Sequence, residues 1–202
     1  MQTSEQRNAR HKKAMQRKKE HIDNKIDQAT VDKGLMVVLT GNGKGKSSSA
    51  FGMLARSVGH GLNCAVVQFI KGVWETGEHL LFQNHPLVEF HVMATGFTWE
   101  TQDRDKDIAA AQCTWGQAAQ LLRDENVDVV ILDELTYMLT YGYLDKQHVL
   151  EALSNRPQGQ HVIVTGRNAS RELIELADTV AELDSVKHAF DSGVKVHKGI
   201  DY

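Results

Sequence analysis

The chain carries one short stretch whose residue types and spacing are suited to chemistry on phosphates. Glycine, lysine and serine dominate the stretch Thr40-Gly41-Asn42-Gly43-Lys44-Gly45-Lys46-Ser47-Ser48. Glycines at alternate positions let backbone N–H groups converge on phosphate oxygens, Lys46 adds a positive charge, and the hydroxyl of Ser47 can reach Mg²⁺. An apolar run, residues 35–39, precedes the stretch and a helical pattern follows it. Strand, glycine loop and helix in this order predict that residues 41–48 bind the phosphates of a nucleotide.

The glycine spacing of this loop departs from the usual pattern G-x-x-x-x-G-K-[ST]. The first glycine of that pattern would stand at Thr40, whereas the sequence has a glycine one position later, at Gly41. A flexible basic turn without a ligand is the alternative interpretation. Because the loop lies directly between a predicted strand and a predicted helix, we favour the phosphate site.

A second nucleotide signal is an apolar run, residues 127–132, that ends in Asp133 and Glu134. We expect this strand to end beside the phosphate loop, where either carboxylate could hold Mg²⁺ directly or through water. Mn²⁺ is an alternative ion for the same oxygen ligands. The competing interpretation is a strand that ends in a solvated acidic turn, and the sequence does not decide which carboxylate contacts the metal.

A third apolar run, residues 161–165, is followed by Gly166 and Arg167. We predict that Arg167 leans over the bound phosphates, with a purely structural ion pair as the alternative. Arg56 lies about ten helical residues, roughly 15 Å, beyond the loop and is interpreted as structural.

The order of the apolar runs predicts an α/β fold, with a mostly parallel sheet flanked by helices, similar to P-loop NTPases of the RecA type. Strands are predicted at about 35–40, 64–70, 87–93, 127–133, 160–165 and 179–183. Helices are predicted at 46–59, 105–123, 145–154 and 169–177, with long loops at 71–79 and 94–104.

Residues 1–33 form a separate basic arm in front of the catalytic domain predicted for residues 34–202. Its first 25 residues hold eight lysines and arginines against three acids, and they contain no glycine or proline. Good helix formers dominate, so the arm is predicted to be helical or partly disordered. A solvated basic face is the alternative.

Charge and composition exclude several classes of protein. The formal net charge is −3, which gives no reason to expect nucleic acid as a partner. No run approaches the roughly 18 apolar residues that cross a membrane. The two cysteines, without CxxC spacing, argue against a disulfide framework or a structural zinc site. We expect a cytoplasmic protein without a membrane partner.

Five strings, in order along residues 34–202, resemble the P-loop type of corrinoid adenosyltransferase. They are Thr40-Gly41-Asn42-Gly43-Lys44-Gly45-Lys46, Val67-Gln68-Phe69-Ile70-Lys71-Gly72, Met93-Ala94-Thr95-Gly96-Phe97-Thr98-Trp99-Glu100, Leu132-Asp133-Glu134-Leu135-Thr136-Tyr137 and Val186-Lys187-His188-Ala189-Phe190. The displaced glycine is itself typical of that family. Ser47 stands where the family usually has threonine, which preserves the hydroxyl.

The resemblance implies that Co(I) of a reduced corrinoid, cobalamin or cobinamide, attacks the ribose C5′ of ATP and expels triphosphate. Lys46, Ser47, Mg²⁺ and Glu134 would then serve the leaving group. The resemblance also implies that the loop surrounds the terminal phosphate of ATP, rather than holding the phosphates in the register that is usual in kinases. Phe97 and Trp99 would face the corrin.

The resemblance also implies a homodimer and a reduced flavoprotein, such as flavodoxin, as electron donor. The arm would cover the corrinoid site, and Arg171 could belong to a basic docking patch. Without the resemblance, the residues alone fit a P-loop ATPase or kinase equally well. A nucleotide-gated module whose arm binds nucleic acid or protein is a third alternative.

Overall fold

Six strands pair in one parallel sheet within the part of the chain that the computed structural model describes, residues 4–70, 75–93 and 103–201. The strands are β1 (Met36–Thr40), β2 (Cys64–Gln68), β3 (Val88–Val92), β4 (Val129–Asp133), β5 (His161–Thr165) and β6 (Thr179–Glu182). Their order across the sheet is β3-β2-β4-β5-β1-β6, and each neighbouring pair is parallel. The carboxyl ends of all six strands therefore meet at one edge, where α/β sheets bind ligands.

Helices cover both faces of this sheet. They are α2 (Lys46–Gly59), α3 (Gly77–Phe82), α4 (Arg104–Leu121), α5 (Leu135–Thr140), α6 (Lys146–Ser154) and α7 (Arg171–Leu176). The apolar faces of α2 and α3 pack in one core cluster with Leu39 and Ile131, while α4 to α7 pack in the other with Val38 and Leu132. Consecutive strand residues thus point to opposite layers, which explains why the strands are near-continuous apolar runs.

The predicted fold class and the six predicted strands are confirmed, as are the four predicted helices apart from one or two residues at their ends. The prediction of a loop over residues 71–79 is wrong at its end, because α3 begins at Gly77. Helix α5 was not predicted at all. Both helices have only six residues, too few to establish a 3.6-residue apolar period.

The basic arm and the remainder of the chain form two compact units, residues 1–32 and 33–202. Helix α1 (Ser4–Gln28) occupies most of the arm and has no buried residue. Among the described residues, no helix is both long and apolar enough to cross a membrane.

Candidate active site

The phosphate loop joins β1 to α2 and leaves the N-terminus of α2 without a side-chain cap. Its N-cap residue, Gly45, has φ 108°, a left-handed conformation that favours glycine. By contrast, α3, α4, α6 and α7 each have an N-cap side chain that accepts a hydrogen bond, at Thr76, Asp103, Asp145 and Ser170. The first-turn N–H groups of α2 are therefore available to an anion, and the helix dipole favours negative charge there.

The end of β6 explains why the loop has glycine at positions 41 and 43. The N–H of Gly43 donates to the carbonyl oxygen of Leu183 at 2.6 Å. A Cβ atom on Gly41 or Gly43 would lie 2.5 Å from the carbonyl oxygen of Leu183 or Asp184, respectively. These glycines thus permit the close approach of the chain after β6, and the displaced first glycine follows from that packing.

Lys46 is the buried cation of the loop. Its side chain turns back toward the loop, because Nζ donates to the carbonyl oxygen of Gly43 at 2.7 Å. Burial lowers the pKa of Lys46, and the nearby Arg167 lowers it further, while Glu134 and Asp133 act in the opposite direction. An ammonium with so little water around it interacts strongly with a phosphate that replaces the lost hydration.

Asp133 is held in place by two side chains that the sequence analysis did not select. Thr165 donates its hydroxyl to Oδ1 at 2.7 Å, and Gln68 donates through Nε2 to Oδ2 at 3.1 Å. The backbone N–H of Glu134 donates to the same Thr165 hydroxyl at 2.9 Å. Strand β5 lies between β4 and β1, so Thr165 links the carboxylate pair to the strand that leads into the loop. Each oxygen of Asp133 thus accepts one of these hydrogen bonds, which fixes the orientation of the carboxylate.

Glu134, directly after β4, is the second carboxylate of the site. It caps α5 in the left-handed conformation, with φ 59°. Within the described residues, its Oε2 atom is buried without a hydrogen-bond partner. Burial raises the pKa of Glu134 to about 7, with a further contribution from the charge of Asp133 and opposing ones from Lys46 and Arg167.

The residues present fit a magnesium ion held by Glu134. Its orphaned buried oxygen has the hard-ligand chemistry that Mg²⁺ prefers, and Ser47 contributes a hydroxyl to the same cavity. Groups of three or more histidine, cysteine or acidic side chains that could hold a metal without help are not found in the described part of the chain. Mg²⁺ usually binds through one or two carboxylates together with substrate phosphates.

Arg167 reaches the same cavity from a tight turn after β5 that requires glycine at position 166. Gly166 has φ 136°, and a Cβ there would lie 2.0 Å from the hydroxyl oxygen of Thr136. That hydroxyl donates to the carbonyl oxygen of Arg167 at 2.6 Å, which fixes the backbone of the turn. The exposed guanidinium is then free to face phosphate oxygens.

A cavity of about 540 Å³ brings most of the predicted residues together. Its lining includes Asn42, Gly43, Lys44, Gly45, Lys46, Ser47, Ser48, Asp133, Glu134 and Arg167. The lining also includes Gln68, Phe51, Leu81, His188, Ile200 and Asp201, none of which the sequence analysis selected as a site residue. Gly41 instead packs against Leu183. Phe97 and Trp99 lie outside the described residues.

The family comparison matches residues 32–202 to the family described as ATP:corrinoid adenosyltransferase BtuR/CobO/CobP. The chain belongs to this family. A corrinoid adenosyltransferase of Pseudomonas aeruginosa is 53% identical over 203 residues, covering all of both chains. One from Escherichia coli K12 is 53% identical over 193 residues, covering 96% of this chain and 98% of its own. A third, from a Sinorhizobium species, is 45% identical over 202 residues, covering 98% of this chain and 94% of its own.

The membership confirms the resemblance carried by the five sequence strings. The prediction of a transferase, rather than a P-loop hydrolase or kinase, is confirmed at the level of the family. As an adenosyltransferase, the chain needs a site for ATP and a site for a corrinoid, and the cavity beside the phosphate loop fits the first of them.

Proposed function

We propose that the enzyme transfers the 5′-deoxyadenosyl group of MgATP to Co(I) of a reduced corrinoid, cobalamin or cobinamide, and releases triphosphate. The observation that supports this most directly is the uncapped N-terminus of α2 beside Lys46, Glu134 and Arg167 in one cavity. This arrangement is suited to a polyphosphate, and in this reaction the polyphosphate is the leaving group.

The protein's part in this reaction is to orient and to stabilise charge, because the nucleophile belongs to the corrinoid substrate. As the bond from C5′ to the phosphate oxygen breaks, negative charge accumulates on the triphosphate. The α2 amides and Lys46 stabilise that charge without reorganising, since the fold already holds them in position, and Arg167 can add its charge from the exposed turn after β5. Mg²⁺, held by Glu134 and Ser47, would neutralise part of the same charge.

Product analysis tests the proposed reaction. We expect ATP turnover to require reduced corrinoid and to yield triphosphate, because attack at C5′ leaves the three phosphates joined. Ion-exchange separation of the products, with and without chemically reduced cob(I)alamin, makes the comparison. Formation of ADP and phosphate at the full rate without corrinoid would show a hydrolase and would overturn the proposal.

We also propose that Phe97 and Trp99 pack against the lower face of the corrin and exclude its axial ligand. The family resemblance of residues 93–100 supports this role. An axial ligand donates electron density to cob(II)alamin and makes its reduction difficult, so a four-coordinate cobalt is easier to reduce. Burial of two rings of this size supplies a driving force on the order of kcal/mol for such packing.

Phe97→Ala or Trp99→Ala should therefore damage the route from cob(II)alamin about tenfold more than the route from chemically prepared cob(I)alamin, which has already lost its axial ligands. Parallel assays with a reduced flavoprotein donor and with pre-reduced substrate measure both routes. Spectroscopy of the ATP complex reports four-coordinate Co(II) independently of turnover. Equal losses in the two routes would leave the two aromatic residues as packing residues only.

We propose that the enzyme works as a homodimer in the cytoplasm, with flavodoxin or a similar flavoprotein as electron donor. The basic arm, residues 1–33, would cover the corrinoid site. The excess of positive charge in the arm supports a role in binding a negatively charged partner. Arg171, exposed at the start of α7, donates from Nε to Glu175 at 2.7 Å, and we propose that it belongs to a docking surface for an acidic flavoprotein.

A further inference from the structure

The chain after β6 leaves the phosphate loop and later returns to it. We call residues 183–201 the C-terminal segment. At its beginning, the carbonyl oxygen of Leu183 accepts the hydrogen bond from Gly43. At its other end, the carboxylate of Asp201 forms an ion pair with the ammonium of Lys44. The adjacent loop residues Gly43 and Lys44 therefore interact with opposite ends of the C-terminal segment.

The carboxylate of Asp201 is positioned by its own turn before it meets the lysine. Its Oδ2 atom accepts a hydrogen bond from the N–H of His197 at 2.8 Å, and the N–H of Asp201 donates to the carbonyl oxygen of His197 at 2.9 Å. Gly199 supplies the left-handed residue of this turn, with φ 81°. The remaining oxygen, Oδ1, contacts Lys44. The turn thus fixes the carboxylate in a defined place.

This ion pair lies in the wall of the nucleotide cavity. Lys44 and Asp201 both line it, together with His188, Gly199 and Ile200 of the C-terminal segment. The side chain of Asp201 is only 20% exposed, while that of Lys44 is 49% exposed. The lysine can therefore turn from one anion to another more easily than the carboxylate can move.

Asp201 is negatively charged at neutral pH, since the hydrogen bonds from Lys44 and from the backbone of His197 lower its pKa. A phosphate group that enters the cavity meets a lysine whose charge is already partly neutralised. It also comes close to the carboxylate of Asp201 in the same wall, and the repulsion between the two negative charges is unfavourable. Both effects weaken the binding of a polyphosphate.

We propose that Asp201 competes with the terminal phosphate of the substrate for Lys44 and thereby sets the affinity of the loop for the triphosphate chain. This inference rests on the proposed function, in which the loop holds the nucleotide phosphates. The contact lowers the affinity for ATP, and it favours release of the triphosphate product, because the carboxylate takes the lysine back as the product leaves. Asp201 would in this way weaken the binding of the substrate and also shorten the time for which the triphosphate product stays bound.

Titration calorimetry on the full-length protein tests the competition without any corrinoid. Inorganic tripolyphosphate with Mg²⁺ and MgATP serve as the two ligands, for the wild type and for Asp201→Asn. We expect the variant to bind both ligands about two- to fivefold more tightly, the range set by the modest strength of solvent-accessible ion pairs. Asp191→Asn is the matched control, because it removes an exposed acid of the same segment.

A general loss of negative charge would also favour anions, so the partner must be tested as well. Lys44→Gln should weaken binding of tripolyphosphate, and adding Asp201→Asn to Lys44→Gln should then change the affinity little. Tighter binding by Asp201→Asn that persists unchanged without Lys44, or that Asp191→Asn reproduces, would overturn the proposed competition. Such a double-mutant cycle isolates the contact between the two side chains.

The calorimetry also separates this inference from the proposed function. If the wild type binds neither MgATP nor tripolyphosphate, the assignment of the phosphate site is wrong, and both proposals fail. If the wild type binds them and Asp201→Asn binds with equal or lower affinity, only the role of Asp201 fails.

Discussion

Replacing Glu134 with glutamine is expected to stabilise the nucleotide-free protein at pH 8 by about 3 kcal/mol while removing most of its activity. Burial raises the pKa of this carboxyl from its ordinary value of 4.5 to about 7. At 1.36 kcal/mol for each pKa unit, the difference corresponds to about 3 kcal/mol. Because the raised pKa favours the protonated acid in the fold, its stabilising contribution is complete below about pH 4.5. It is lost as the pH rises through about 7.

Glutamine keeps the shape of the side chain but never acquires the charge, so the variant should escape this loss of stability. Urea unfolding of the wild type and Glu134→Gln at pH 5 and pH 8 gives the difference at each pH, with the exposed Glu125→Gln as control. The free-energy difference between variant and wild type should grow from pH 5 to pH 8. A constant difference would mean that Glu134 ionises in the fold as easily as in the unfolded chain.

Lys46→Ala is expected to lower kcat/KM by at least about a hundredfold. Each charge-assisted hydrogen bond to phosphate contributes about 1.5–3 kcal/mol, and Lys46 is the buried cation beside the uncapped α2 N-terminus. The effect should appear both as weaker ATP binding and as slower transfer, because the charge of the leaving triphosphate exceeds that of bound ATP near C5′.

Calorimetry with MgATP and a single-turnover assay with cob(I)alamin separate these two components. Lys146→Ala, which removes an exposed lysine paired with Glu172, controls for the loss of a positive charge elsewhere on the surface. Corrinoid affinity should change little in Lys46→Ala. ATP binding at the wild-type level in this variant would show that the loop does not hold the phosphates.

The sequence was sufficient to predict the fold class and its strands because those signals are local. Each buried strand is an apolar run, and parallel strands with helices on both faces need such runs. The order of the strands could not be predicted in the same way. The position of β5 between β1 and β4 depends on pairing between residues far apart in sequence, and no local pattern encodes it.

The candidate site was predictable where its residues share a motif and not where the fold alone brings them together. The loop lysine and the carboxylate pair stand in recognisable strings. Gln68 and Thr165 were missed because they are ordinary strand-end residues until β2, β4 and β5 lie side by side and their side chains meet Asp133. Gln68 does lie in the string of residues 67–72 that resembles the family, and this resemblance was the one sequence signal that could have identified it.

Asp201 illustrates the opposite case, since nothing around it in sequence resembles a phosphate site. Its contact with Lys44 spans most of the chain and depends on how residues 183–201 turn back. The displaced glycine at position 41 was visible in the sequence, but its physical reason was not. That reason is the backbone of Leu183, which only the fold brings within contact distance.

Strand β6 has a consequence for the way in which binding and local unfolding are linked. It is an edge strand whose four residues are all exposed, and it pairs with β1 alone. Strands of this kind open at a small free-energy cost compared with the centre of a sheet. Yet the residue that follows β6, Leu183, holds the amide of Gly43. The phosphate loop therefore depends on an exposed edge strand, and we expect each opening of β6 to loosen the loop as well. By linkage, a ligand that requires the ordered loop slows the amide hydrogen exchange of β6, although the strand lies outside the lining of the nucleotide cavity.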